Sequence, residues 1–306
     1  MKKLFVAVLA VAGLAACNTE ETVLVQGPAP IAFDGSFVET RALTADAEDP
    51  SITTENITGF DVWGFMDEAT GQIFDREEVT GTKGNFTYAN TQYWVPGHDY
   101  YFAAIAPAQS KNVNVTDAAA ADAYYGLGTI AFNITDGAED LLYSAVGPIA
   151  APAQGATTVN PVKFQFNHML SKVKFTFTNG FDNELATIDV TDVRMVVPSE
   201  GSINVAQQDW WSTNQWVLGT ATKELLFGDA CTGLGIGDSD EAADERIIFP
   251  ANNDVVYTVT FKVALYQGSV LAYEGTKTVK IEGVALEIGK AYNFKAELNA
   301  SNITAD

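Results

Sequence analysis

Cysteine and histidine are nearly absent from this chain of 306 residues, which contains two of each. If Cys17 lies in an export signal and carries lipid, Cys231 has no partner, so disulfides do not hold the fold. His98 and His168 leave little basis for histidine-based catalysis or for a histidine-rich metal site. The composition therefore predicts a protein without a cofactor, a metal centre or a catalytic residue.

Basic residues are also scarce. The chain contains 17 Lys and Arg and 39 Asp and Glu, which gives a net charge of −22. Binding to nucleic acid or to anionic lipid surfaces depends on clustered basic residues, so we exclude both as partners. Hydrophobic residues make up 47% of the chain, which is enough for a packed core. The length suits one large domain or two ordinary ones, and we favour two.

Long hydrophobic runs are lacking as well. The apolar run Leu4–Leu14 has about half of the ~20 residues that a membrane-spanning helix needs. A secretory signal peptide over residues 1–16 is therefore a better interpretation than a transmembrane anchor. The Leu-Ala-Ala-Cys sequence that ends at Cys17 resembles a bacterial lipobox, whose cysteine is acylated, as with palmitate. Glu20 and Glu21 resemble the surface-export signal of lipoproteins in some Gram-negative anaerobes, which predicts an outer-membrane lipoprotein at the cell surface.

One short strand precedes the body of the chain. After a Gly-Pro-Ala-Pro linker, Ile31–Val38 places most of its large apolar residues on one parity, as an amphipathic strand does. The following segment, Glu39–Pro50, is polar, lacks periodicity and carries a single arginine, Arg41. A strand attached through a loop with one exposed arginine can be released by a protease.

From residue 51 onward the chain is a series of short strands separated by polar turns. Strands do not alternate regularly with helices, so the pattern disfavours a parallel α/β fold and predicts antiparallel β-sandwiches. Asp117–Ala123 is the one predicted helix, and Gly228–Glu245 is predicted as a long loop. The main predicted strands are Thr58–Met66, Asn85–Tyr88, Tyr93–Val95, Tyr100–Ile105, Leu127–Ile134, Leu141–Val146, Ile188–Val197, Val255–Leu265, Val270–Ile281 and Tyr292–Leu298.

The stretch Lys163–Phe177, near the middle of the chain, changes the phase of its alternation. Its first phenylalanines, Phe164 and Phe166, fall on one parity, and its last two fall on the other. A slip of one residue turns every side chain to the opposite face, so the change cannot occur inside one regular strand. We predict a bulge, bend or turn within His168–Lys172.

Several residues invite a chemical interpretation, and each has a structural alternative that we favour. His168 is predicted to be a packed, hydrogen-bonded residue at the bend rather than a ligand or a base, and His98 to be structural or exposed. The acidic run Asp238–Glu245 lacks the ligand spacing of a calcium loop, so we favour a solvated loop over a calcium site. Cys231 has no His–Asp pattern near it and is interpreted as an unreactive thiol.

Three tryptophans, Trp210, Trp211 and Trp216, lie in a predicted hairpin over Gln208–Val217. On the surface they would form a stacking platform for a sugar, and the chain would then be a surface glycan-binding lipoprotein with a host or bacterial ligand. Packed across the hairpin, they would stabilise it, because aromatic pairs favour adjacent strands. We favour packing and keep glycan binding as the alternative function.

A set of short motifs follows the lipobox, the first strand and the lone arginine. The most specific is Phe164–Val173, with the pattern F-x-F-x-H-x-L-S-K-V. The others are Gly59–Phe65 (GFDVWGF), Tyr100–Pro107 (YYFAAIAP), Ile247–Pro250 (IIFP) and Gly289–Phe294 (GKAYxF). Each motif is weak alone, but in this order and spacing they resemble the fimbrillin family of type V pilus subunits over nearly the whole chain.

The resemblance implies two transthyretin-like antiparallel β-sandwich domains in tandem and a pilus subunit that supports adhesion. It also implies maturation of a lipoprotein precursor by an arginine-specific protease of the gingipain type. In that scheme the first strand completes its own sandwich until cleavage removes it, and the open groove accepts a strand from a neighbouring subunit. Carried over, cleavage would follow Arg41 and release Ile31–Val38, with Arg76 as the rival site.

We therefore predict a structural subunit and not an enzyme. Its partners would be other fimbrial subunits, the protease, and the outer membrane through the lipid on Cys17. Only Asn299–Asp306 follows the last predicted strand, which is short for a donor. Either that strand is mobile or the subunit accepts without donating, as a tip, anchor or accessory subunit would. The predicted divisions are the signal peptide over 1–16, a lipidated tether with the first strand and cleavable loop over 17–50, and β-sandwiches over 51–162 and 163–306.

Overall fold

The structure is a computed structural model, and it describes residues 28–38, 42–43, 57–67, 71–82, 84–117, 127–156, 158–206 and 215–303. Within these residues nearly all regular structure is β-strand, so the prediction of an all-β fold is confirmed. The described chain ends in one short helix, α1 (Ala300–Ile303). None of the helices in the described ranges has the length and apolar character needed to cross a membrane.

The strands are numbered in chain order and vary from two to thirteen residues in length. They are β1 (Phe33–Val38), β2 (Ala42–Leu43), β3 (Gly59–Met66), β4 (Gln72–Thr82), β5 (Asn85–Thr87), β6 (Asp99–Ala106), β7 (Val113–Asp117), β8 (Leu127–Asn133), β9 (Leu142–Ala150), β10 (Val162–His168), β11 (Ser171–Asn179), β12 (Ala186–Pro198), β13 (Glu200–Asn204), β14 (Val217–Leu218), β15 (Thr222–Gly228), β16 (Cys231–Leu234), β17 (Ser239–Glu241), β18 (Arg246–Ile248), β19 (Tyr257–Gln267), β20 (Val270–Ile281) and β21 (Lys290–Leu298).

Strands β1, β3–β6, β9 and β10 build a seven-stranded sheet in the order β1-β10-β9-β6-β3-β4-β5. All its neighbours are antiparallel except β1, which runs parallel to β10. The two edge strands, β1 and β5, also lie close to each other, so the sheet curls around its inner face. Alternate residues of these strands fill that face with a compact aromatic and aliphatic core.

A second, larger core contains residues of the remaining sheets together with residues of β3, β6 and β9 from the seven-stranded sheet. One sheet has the order β14-β13-β8-β7, so it joins two strands from the first half of the chain to two from the second. The other two are β17-β11-β21-β2, with β18 also on β11, and β15-β12-β19-β20, with β16 also on β12. The two halves of the chain therefore share a sheet and a core, and the division into tandem sandwiches stays a prediction.

The central stretch breaks where the change of phase predicts a break. Strand β10 ends at His168 and β11 begins at Ser171, with Met169 and Leu170 fully buried between them. The phenylalanines of β10 belong to the core of the seven-stranded sheet, whereas those of β11 belong to the larger core. The phase change thus sends side chains into two different cores. The chain passes between sheets here, shortly after residue 163, where we placed the domain boundary.

Several predicted elements differ from the structure. The predicted loop Gly228–Glu245 contains β16 and β17, which pair with β12 and β11. Tyr93–Val95 forms only an isolated bridge, from Tyr93 to Pro30. The predicted helix Asp117–Ala123 begins at the last residue of β7, and the rest of it lies outside the described residues. Asp117, the predicted cap of that helix, is the last residue of a strand.

Candidate functional site

The N-terminal segment, residues 28–38, lies at one edge of the seven-stranded sheet. Its strand β1 lies at the edge of the seven-stranded sheet, and β10 is its one partner among the described strands, from Phe33 opposite Val162 to Val38 opposite Phe166. A parallel strand at an edge has a single neighbour, so its removal breaks one ladder and leaves the order of the other strands intact.

The residues before β1 are bound on two sides by backbone hydrogen bonds. Ile31 N–H donates to the Gln92 carbonyl at 2.8 Å, and Val162 N–H donates to the Ala32 carbonyl at 2.7 Å. The Tyr88 hydroxyl donates to the Ile31 carbonyl at 2.6 Å. The segment therefore lies between the loop that follows β5 and the start of β10.

Phe33 is the main apolar anchor of this segment, and it is only 4% exposed. Five aromatic rings lie with their centroids 5.3–6.3 Å from its own: those of Phe60, Phe74, Tyr88, Phe102 and Phe164. Ile31 is buried on the same face of the segment. Burial of each such side chain contributes about 1.5–3 kcal/mol, so the segment is a substantial part of this core.

After β1 the chain enters a different sheet. Strand β2 pairs in parallel with the start of β21, where Ala42 lies opposite Lys290 and Leu43 opposite Ala291. In the sequence, Arg41 falls immediately before β2 and three residues after the end of β1. Arg41 itself and Cys17 lie outside the described residues, so cleavage and lipidation at these positions stay predictions.

Arg76, the rival cleavage site, lies inside β4 and is held by its side chain. Its Nε donates to Asp61 Oδ2 at 3.0 Å, and its Nη2 donates to the Ser110 carbonyl at 2.9 Å. Asp61 is 1% exposed and also accepts hydrogen bonds from Gln109 N–H and Nε2. A buried carboxylate is stable only with such partners, so Arg76 contributes to the fold here.

Both histidines form a hydrogen bond with a carboxylate. His168 is buried, and its Nδ1 lies 2.5 Å from Asp140 Oδ2. This contact fixes the end of β10 at the break, as expected for a structural residue. His98 Nδ1 lies 2.8 Å from Asp67 Oδ1. That hydrogen bond is the main cause that lowers the pKa of the Asp67 carboxyl.

Trp216 lies in the core, so it packs inside the protein and is not part of an exposed platform for a ligand. The residue is 8% exposed, and its ring centroid is 4.8 Å from that of Phe249. Its Nε1 donates to the Met169 carbonyl at 2.8 Å. The break between β10 and β11 leaves this carbonyl outside the ladder, and the indole satisfies it. Trp210 and Trp211 lie outside the described residues, so the rest of the predicted platform is untested.

The acidic run and the free cysteine both have structural roles. Glu241 pairs with Lys174 at 2.8 Å, and Glu245 pairs with Lys172 at 2.5 Å. Among the described residues, which include the whole run, no group of His, Cys, Asp and Glu could hold a metal ion. Cys231 is buried, and burial raises the pKa of its thiol to about 11, so it is protonated at neutral pH.

The sequence did not identify the residues that receive the N-terminal segment. Tyr88 and Trp94 were placed in short predicted strands, but nothing in their local pattern connected them with residues 28–38. The contact is long-range, and a single sequence shows no pairing between distant segments. The available signal was the density of aromatic residues in this half of the chain, which requires apolar partners to cover it.

The fold and this site define an all-β protein whose first strand is a separate segment at the edge of a sheet. A family model described as fimbrillin-like matches residues 40–306, and the chain belongs to that family. This membership supports a role as a fimbrial subunit. Comparison with curated proteins finds no match.

One of the solved structures that match this chain has a TM-score above 0.5 and shares its fold. A candidate cell adhesion protein from Bacteroides ovatus is 20% identical, with a TM-score of 0.51, and the match covers 91% of this chain and 94% of that one. A candidate cell adhesion protein from Bacteroides fragilis is 14% identical, with a TM-score of 0.49 and coverage of 90% and 94%. One from Parabacteroides distasonis is 11% identical, with a TM-score of 0.49 and coverage of 91% for each chain.

Proposed function

We propose that this chain is a fimbrial subunit that supports adhesion and assembles by strand exchange. It is exported as an outer-membrane lipoprotein with lipid on Cys17, and an arginine-specific protease cuts after Arg41. The cut releases the N-terminal segment, residues 28–38, and a strand from a neighbouring subunit takes its place. Family membership supports the class of function, and the geometry of β1 supports the mode of assembly.

The position of Phe33 is the observation that most directly supports strand exchange. Phe33 belongs to an edge strand, yet its ring lies among five others in the core of the seven-stranded sheet. Loss of this segment would expose those rings and the free backbone groups of β10. Exposed apolar surface next to an unpaired edge is a template for another strand, with backbone bonds giving affinity and alternate side chains setting the register.

The chain path explains why one cut suffices. Because β1 and β2 pair with different sheets, a cut between them separates β1 without breaking any pairing among β3–β21. Before the cut, the covalent link holds β1 at high effective concentration in its groove, so an external strand competes poorly. After the cut, the released segment can dissociate, and assembly becomes dependent on the concentration of partner strands.

The test is substitution of the arginine in the full precursor. Arg41→Ala is expected to keep the precursor at its full size and to prevent ladders of polymers after treatment with an arginine-specific protease. Arg76→Ala is the matched control and should be processed like the parent chain. N-terminal sequencing of the processed parent chain should begin at Ala42. An unchanged N-terminus and unchanged ladders in Arg41→Ala would overturn the proposal.

A further inference from the structure

Strand β20 is a long edge strand with one open side. It ends the sheet β15-β12-β19-β20, and β19 is its one partner among the described strands. It has 12 residues, more than any other strand that ends a described sheet. Its sequence, VLAYEGTKTVKI, contains no proline, which would interrupt pairing with a further strand. The row of backbone groups along its open side is therefore a template for another strand.

The strand also exposes apolar side chains beside this open edge. Val279 lies opposite Val259 of β19, which is 3% exposed, yet Val279 itself is 48% exposed. The face that is covered at β19 is thus partly open at β20. Two further apolar residues of the strand, Val270 and Leu271, are 66% and 48% exposed. Apolar surface next to an open edge indicates a place where protein binds protein.

Tyr273 and Lys277 form a contact on the same face of β20 as Val279. A Cβ atom at Gly275 would collide with the Tyr273 hydroxyl, so the tyrosine ring extends along the strand over Gly275. The Lys277 Nζ lies 5.6 Å from the centroid of that ring. Alternate residues of a strand share a face, so these four side-chain positions form one continuous surface at the edge.

A second copy of β20 complements this surface when the two strands run antiparallel about a twofold axis at Thr276. Residues at equal distances on either side of Thr276 then lie opposite each other. Tyr273 lies opposite Val279 of the second copy, which is a favourable pair of an aromatic and a β-branched side chain. Gly275 lies opposite Lys277 of the second copy, which brings that ammonium beside the ring that covers Gly275.

The other face of the strand fits the same register. Thr276 meets Thr276 at the axis, where two hydroxyls can form a hydrogen bond, and Glu274 lies opposite Thr278. No like charges lie opposite each other in this arrangement. An axis at Lys277 would instead place two lysines face to face, which is unfavourable.

We infer that β20 is a homodimer interface, at which two copies of this chain join edge to edge in the register centred on Thr276. The sheet of one copy then continues into the sheet of the other. Most surfaces of two copies repel each other, because the chain has a net charge of −22. Strand β20 contains two lysines and one glutamate, so its edge is a place where two copies can approach. The contact involves neither β1 nor a cut at Arg41, and it is therefore independent of strand exchange.

The test is disulfide cross-linking of the full precursor, left uncut so that strand exchange after cleavage plays no part. A cysteine at the axis lies next to itself in the dimer, so Thr276→Cys should give a reducible dimer on oxidation. Thr278→Cys is the matched control, because it is equally on the exposed face but lies away from the axis. We expect about tenfold more dimer from Thr276→Cys than from Thr278→Cys. The parent chain gives the background from Cys17 and from Cys231, which is buried.

Two further variants, made in the Thr276→Cys chain, test the pairing of side chains. Val279→Asp removes the apolar pair with Tyr273 on both sides of the axis and should lower the yield of dimer about tenfold. Val217→Asp is its control, because Val217 is 71% exposed in a different sheet, and it should leave the yield unchanged. Equal yields from Thr276→Cys and Thr278→Cys, or a yield that survives Val279→Asp, would overturn the interface and leave strand exchange standing.

Discussion

Substitution of Phe33 by alanine should affect the stability of the precursor and of the processed chain differently. Phe33 belongs to the segment that cleavage after Arg41 would remove, so its contribution to stability should exist only before cleavage. Phe33→Ala is therefore expected to destabilise the precursor and to leave the processed protein unchanged. Few core substitutions have an effect that a proteolytic cut should erase.

The magnitude follows from the burial of the ring. Phe33 is 4% exposed, and five aromatic centroids lie within 6.3 Å of its own. Replacement of a buried phenylalanine by alanine typically costs about 3–5 kcal/mol, because the transfer free energy is lost and a cavity remains. An edge strand can partly collapse into that cavity, so we expect about 3 kcal/mol. This corresponds to a shift of about 1 M or more in the urea midpoint.

The assay is urea unfolding of parent and variant, each before and after treatment with an arginine-specific protease and removal of the released fragment. Leu185→Ala is a matched control, because Leu185 is 65% exposed and its truncation should change stability by no more than about 0.5 kcal/mol. Equal midpoints of the two precursors would refute the position of Phe33 in the core. Different midpoints of the two processed chains would show that the segment is not lost.

Three further predictions concern residues outside the N-terminal segment. Asp61→Ala removes the buried acceptor of Arg76 and should lower the free energy of unfolding by about 1–3 kcal/mol in urea titrations; an unchanged midpoint would contradict the network. Trp216→Phe removes the hydrogen bond to Met169 and should cost about 1 kcal/mol in the same assay, whereas a surface role predicts no loss. Because burial raises the pKa of Cys231 to about 11, the unfolded state loses its thiol proton first as pH rises, and stability should fall above about pH 8.5. Cys231→Ala should lack this part of the pH dependence, and identical pH profiles would contradict the buried thiol.

The sequence was most informative where strands are half buried. The long alternating strands β19 and β20 and the break after His168 were predicted, because period-two patterning reports directly which face is covered. Strand β4 was missed. Its sequence QIFDREEVTGT carries charges at positions that remain partly exposed, and an irregular register beside Phe74 interrupts its alternation. Its formation is determined by the neighbouring strands, which a local pattern does not contain.

The site was predictable only in part for the same reason. Ile31–Val38 has the pattern of an amphipathic strand, so its existence could be inferred, but its partner β10 lies far along the chain. The sequence left two interpretations of Trp216 open, because a tryptophan satisfied by a core carbonyl has the same sequence signature as one exposed on a hairpin. Only the contact of the indole with a distant backbone carbonyl distinguishes a buried tryptophan from an exposed one.

The choice between the two candidate arginines follows from that pairing. Proteases bind an extended stretch of chain on both sides of the bond that they cut, so the stretch must be free of its own hydrogen bonds. Arg76 lies within β4, between β3 and β5, and its guanidinium is bound to Asp61 and to the Ser110 carbonyl. A cut there requires the opening of two ladders and the loss of a buried ion pair. Arg41 instead lies between two strands of different sheets, so a cut there requires only the two-residue pairing of β2 with β21 to open, and this is why we propose Arg41 as the site of maturation.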